Sequence, residues 1–235
     1  MQPEEMSDSK VGRVVGMDAA GKYGWLAVVL DDDGFVGARL GSLRELVAWA
    51  GRVDVIGIDI PLGHTADGVR QADVEARKFV GPMRASSVFA APPKEVFDAA
   101  SYAEGNAVLN GLGRPMVSRQ AWALLPKMLE AAELAEKDER VYEVHPEVSF
   151  CAMNGEEHLP WPKKSWNGLM HRRRLLSEAG IELPGALEEL SAAAADDLVD
   201  AAAVAWSARR IARVKAKSLP SKPEENDGRR VAIWY

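Results

Sequence analysis

Two aspartates close apolar runs in this chain. Asp18 follows Val14-Val15-Gly16-Met17, and Asp59 follows Val55-Ile56-Gly57-Ile58. A carboxylate at the end of a buried strand costs stability unless something compensates its charge. Far downstream, Asp196-Asp197-Leu198-Val199-Asp200-Ala201 opens a helix, and Asp197 and Asp200 project from one side of it. Asp196 points elsewhere and suits the helix start, where an acid can cap the backbone and face the positive dipole end. Carboxylates crowded within several ångströms repel unless a proton or cation lies between them. Oxygen donors with open positions suit Mg²⁺ or Mn²⁺, which keep water and accept phosphate as a further ligand. A pair of such ions stabilises the attacking and leaving oxygens of phosphodiester hydrolysis. Asp18, Asp59, Asp197 and Asp200 are therefore the expected metal ligands and catalytic acids.

A second constellation is Glu143-Val144-His145-Pro146-Glu147. In an extended segment Glu143, His145 and Glu147 share one face, and Pro146 suits the first position of a short helix. Glu143 or Glu147 is a candidate further ligand or water-orienting group, and His145 a candidate proton shuttle. The plain alternative is an edge strand with a solvated polar face. Basic residues gather from Lys163-Lys164 to His171-Arg172-Arg173-Arg174, and again at Arg209, Arg210, Arg213, Lys215 and Lys217. The second run reads as ordinary dipole partners of a helix end. His64, His158 and His171 lack metal-ligand spacing, and the seven tryptophans read mostly as core, with no stacking platform.

These groups need a frame to hold them. Apolar strands are expected at 13–18, 24–30 and 35–40, the last two joined by Asp31-Asp32-Asp33-Gly34, a strong hairpin turn. Ser42 caps a helix through Ala50 with Glu45 completing a capping box. The apolar run at 53–60 reads as a strand buried on both faces. Helices follow at 69–80, 96–109 and 120–137, within a helical insertion at about 64–138. Strand character resumes at 141–144, a helix at 164–179 ends at Gly180, and 181–184 reads as extended. The last helix lies within 190–214, 220–228 is a polar loop, and 231–235 a terminal strand. Three antiparallel strands, a helix, a buried strand, then alternating helices and strands is the order of a ribonuclease H-like α/β fold. In that mixed sheet the first and fourth strands lie side by side, so Asp18 and Asp59 would face one another.

The 235 residues, 47% apolar and 27% charged, suit one domain spanning 11–235 after a loose polar tail at 1–10. No stretch approaches the roughly 18 apolar residues of a membrane helix. Cys151 is the sole cysteine, so a disulfide framework or thiolate zinc site is excluded and a cytoplasmic location is expected. A net charge of −6 argues against bulk attraction to nucleic acid, so a polyanion would need local basic patches.

Taken in order, a set of motifs resembles the domain of unknown function 429 family of predicted ribonuclease H-like nucleases. They are Gly16-Met17-Asp18, Gly57-Ile58-Asp59-Ile60-Pro61-Leu62-Gly63, Arg70-x-x-Asp73-x-x-x-Arg77 and Ser86-Ser87-Val88-Phe89-x-x-Pro92. Next come Ser118-x-Gln120, Glu143-Val144-His145-Pro146-Glu147-x-x-Phe150, Lys163-Lys164 with Gly168 and Arg172, and Asp196-Asp197-x-x-Asp200-Ala201. The last also looks like the final catalytic helix of bacterial Holliday-junction resolvases. The resemblance implies a metal-dependent nuclease in which Asp18, Asp59, Asp197 and Asp200 hold Mg²⁺ or Mn²⁺. Arg70, Arg77 and Lys164 are then the expected phosphate contacts. The substrate is expected to be structured or single-stranded nucleic acid, or a small phosphoester. The sugar-kinase and actin group shares the fold, but this chain has one such unit and no Gly-rich phosphate loop. The competing expectation is a catalytically silent interaction or regulatory protein whose insertion covers the cleft.

Overall fold

A computed structural model describes residues 12–63, 70–226 and 228–235. The tail at 1–10, His64 and the start of the insertion lie outside these residues.

Three strands, β1 (Val14–Ala19), β2 (Trp25–Asp31) and β3 (Gly34–Gly41), pair antiparallel. Helix α1 (Leu43–Ala50) returns the chain to β4 (Val55–Ile58), which runs parallel to β1. Its start carries the expected capping box, in which Ser42 and Glu45 each bond the other's backbone N–H. Strand β5 (Val141–Glu143) adds parallel to β4, giving the five-stranded order β3-β2-β1-β4-β5. This mixed sheet flanked by helices is compatible with a ribonuclease H-like fold.

Alternation along the strands builds two cores. Val14, Leu26, Val28 and Val55 face α5 (Pro146–Met153), α6 (Trp166–Glu178) and α7 (Ala195–Ala212). Val15, Met17, Ile56 and Ile58 face α1 and α4 (Arg119–Lys137). Between β4 and β5 the chain also forms α2 (Gln71–Val80) and α3 (Tyr102–Gly111).

The structure revises two expectations. The helix expected at 96–109 is a 3-10 turn at Lys94–Val96 followed by α3, which Ser101 caps by accepting from Glu104 N. The polar loop expected at 220–228 is largely strand β6 (Ser218–Asn226), paired with β7 (Arg229–Trp234). Its two prolines and its glutamates are poor strand formers, so its extended form depends on a partner that local sequence does not reveal. Residues 181–184, expected to be extended, join no sheet and alternate buried Ile181 and Leu183 with exposed Glu182.

Helix α7 sits directly on β1 and β4. A Cβ on Gly16 would overlap Ala205 N and Ala201 O, and one on Gly57 would lie 3.0 Å from Val204 Cγ1. Gly16 and Gly57 are register partners, so neighbouring bare positions form a seat for helix backbone. Asp18 is the next residue on that face of β1, and Asp197 lies one helical turn before Ala201. The glycine seat therefore sets where these acids meet.

Candidate active site

Asp18, Asp59, Asp197 and Asp200 line one cleft of about 420 Å³. Asp59 extends the β1–β4 pairing beyond the last β4 residue, its N–H donating to Met17 O at 2.8 Å. Asp200 is 2% exposed and Asp18 7%, so each has left most of its water. Burial pushes Asp18 well above the ordinary carboxylate range, and the charges of Asp59, Asp200 and Asp197 push further. Burial also raises Asp59, opposed by the nearby ammonium of Lys163. Asp200 is pushed up to about 6 by burial, although Lys163 opposes the shift. Burial and neighbouring Asp196 raise Asp197.

Lys163 is the resident cation. Its Nζ lies 2.6 Å from Asp200 Oδ2 and 3.7 Å from Asp196 Oδ2. Burial works against its charge, but the fields of Asp200, Asp18 and Asp59 outweigh this and hold the ammonium above its usual range. Among the described residues no group of three or more His, Cys, Asp or Glu side chains is placed to hold a metal ion. Lys163 supplies part of the compensation that crowded carboxylates need.

The second constellation divides between strand and helix. Glu143 ends β5, whereas Glu147 lies in the first turn of α5, so the three polar side chains do not share an extended face. Glu143 accepts from Arg70 Nη2 at 2.7 Å and Nη1 at 2.8 Å, and from Leu62 N at 2.9 Å. Glu147 is held bidentately by Arg172 Nη2, at 2.7 and 2.8 Å. His145 accepts from Glu147 N through Nδ1, so Nε2 carries the proton and donates to Ser87 O at 3.2 Å. Both ring nitrogens are engaged, and a proton-shuttle role would require His145 to release one bond.

The expected phosphate contacts need correction. Arg70 is 1% exposed and spans Glu143 and Asp73, bonding the latter through Nη2 at 2.5 Å and Nε at 3.2 Å. Asp73 also accepts from Ala91 N, so this cluster pins the insertion to β5. Arg77 Nε donates to Val88 O at 2.7 Å, which orders the adjoining loop. Lys164 is exposed and does line the cleft. Sequence reading missed Lys163 as the inward cation and Arg172 as the clamp on Glu147. Adjacent lysines carry no local signal for which one turns inward. His158 packs against Gly81, while His171 is buried edge-on to Trp161.

Fold and site thus define an α/β protein with an acidic cleft where its central parallel strands end. The model of a family described as proteins of unknown function (DUF429) matches residues 16–225, and the chain belongs to that family. Neither a curated protein nor a solved structure matches it. Among the described residues no helix is long and apolar enough to cross a membrane.

Proposed function

We propose that this chain is a cytoplasmic, divalent-metal-dependent hydrolase of phosphodiester bonds in nucleic acid. The observation that supports this reading is the meeting of Asp18, Asp59, Asp197 and Asp200, from two strand ends and one helix, in a single cleft. The donors are all oxygen, and carboxylates gathered in one cleft call for a proton or a cation among them. That chemistry fits Mg²⁺ or Mn²⁺, with Asp18, Asp59, Asp197 and Asp200 as the residues that would hold it. A bound ion would supply Lewis-acid polarisation of phosphate and an activated water. The protein contributes Lys163 Nζ and exposed Lys164 as charge partners for phosphate oxygens. Arg172 keeps Glu147 fixed beside the acids, and Arg70 keeps Glu143 and the insertion in place.

A second reading, a catalytically silent interaction or regulatory protein, is favoured by one observation. The chain neutralises its own acids, Arg70 at Glu143 and Lys163 at Asp200. Incubation of the purified chain with Mg²⁺ or Mn²⁺ and labelled DNA, RNA, branched substrates and a small phosphodiester separates the readings. Cleavage by wild type and not by Asp18→Asn is expected. Equal cleavage by both indicates a contaminant, and a failure to cleave any substrate rejects the hydrolase and leaves the regulatory reading.

A further inference from the structure

The segment from Trp161 to Trp166 displays two indoles on a tightly braced loop. Trp161 is 43% exposed and Trp166 72%. Exposed tryptophans on an ordered segment need explaining, because each forfeits a large hydrophobic contribution. The loop itself is well built. Pro162 O accepts from Ser165 Oγ at 2.7 Å and Ser165 N at 3.0 Å, and Arg172 Nη1 donates to Trp161 O at 3.3 Å. A Cβ on Gly168 would overlap Pro162 O, so the first turn of α6 presses against the loop. Trp161 is edge-on to His171, whose ring nitrogens are buried without a hydrogen-bond partner among the described residues. That seat leaves polar atoms unsatisfied, which is a poor reason to keep a tryptophan there.

Charge identifies the occupant. Between the two indoles, Lys163 and Lys164 both line the acidic cleft. Trp166 is the first residue of α6, whose start Ser165 caps by accepting from Gly168 N at 3.1 Å, so the indole is held on an ordered helix end. Two exposed indoles flanking a pair of lysines next to the proposed phosphodiester site match a strand with free base faces and a charged backbone. A duplex stacks its bases internally and offers no such faces, and an apolar protein partner gives exposed Lys164 no role.

We infer that the 161–166 loop is a binding platform for single-stranded nucleic acid, stacking unpaired bases on Trp161 and Trp166 while Lys164 meets the backbone. The inference rests on the phosphodiesterase reading for its orientation toward the cleft, but binding is measurable without hydrolysis. The test is fluorescence anisotropy of the full chain in chelator, with labelled single strands of roughly 12 nucleotides and the matching duplex. Single strands should bind more tightly than duplex. Trp166→Ala and Trp161→Ala should each weaken single-strand binding about tenfold. Lys164→Ala should lower the salt slope by about one. Trp161→Phe, which retains a stacking face, should lose less than Trp161→Ala, and thermal melts confirm that each variant is folded. Equal affinity for duplex, or folded tryptophan variants that bind as wild type, overturns the platform. A concentration-dependent dimer that these variants abolish, with oligonucleotide affinity unchanged, also overturns it and assigns the face to a second copy. Binding that follows this pattern without metal-dependent cleavage rejects the hydrolase alone, and cleavage with tryptophan variants of wild-type affinity rejects the platform alone.

Discussion

Replacing Asp200 by asparagine should stabilise the metal-free protein at neutral pH. In the fold the carboxyl of Asp200 is pushed from the ordinary 3.8 to about 6, by burial and despite Lys163. A group with a raised folded-state value binds its proton more tightly in the folded chain than in the unfolded one. Its contribution is therefore neutral below about pH 4, grows unfavourable as pH rises, and is complete above about pH 6. A difference of about 2 units corresponds to ~3 kcal/mol. The attraction of Lys163 is already contained in that figure, since Lys163 is among the groups that set it. For a chain of 235 residues, ~3 kcal/mol amounts to a rise in Tm of about 6 °C. Urea and thermal unfolding in chelator, from about pH 4 to pH 7, give the difference between wild type and Asp200→Asn. The difference should be near zero at the acid end and reach its full value by about pH 7. Parallel profiles, or a mutant that is less stable at neutral pH, would refute the claim that Asp200 is held charged at a cost.

Three further outcomes follow from the same geometry. Adding Mn²⁺ at about 100 times its Kd should stabilise wild type by ~2.7 kcal/mol, and Asp18→Asn or Asp59→Asn by much less; equal melting shifts in all three would exclude these acids as ligands. Gly16→Ala, whose Cβ would overlap the α7 backbone, should destabilise by ~3 kcal/mol or more, whereas Gly57→Ala, 3.0 Å from Val204 Cγ1, should cost less. Denaturant titration checks that order, and equal costs would show that the helix slides freely on its seat. Arg70→Met strands buried Asp73 and Glu143 and should cost ~3–5 kcal/mol by the same titration. The loss should shrink in a Glu143→Gln background, and additive losses would show that the pair is uncoupled.

Local sequence determined the parts of this protein whose physics is local. Alternation and turn residues define β1 to β3, the capping box at Ser42 and Glu45 starts α1, and Asp197 and Asp200 share a helix face by spacing alone. Strand order followed from the succession of elements, so the neighbouring ends at Asp18 and Asp59 were legible too. Tertiary structure decided what depends on partners distant in the chain. Glu143 and Glu147 are attractive acids on paper, but Arg70 and Arg172 arrive from other elements to neutralise them. Lys163 rather than Lys164 pairs with Asp200, because the bend of the loop before α6 sets which neighbour turns inward. Strand β6 exists through β7, and the exposure of Trp161 and Trp166 is set by how their loop lies on α6. Periodicity reports which faces of an element can be buried; only the assembled chain decides which buried charge meets which counter-charge, since Coulomb and hydrogen-bond energies depend on distances that sequence separation does not encode.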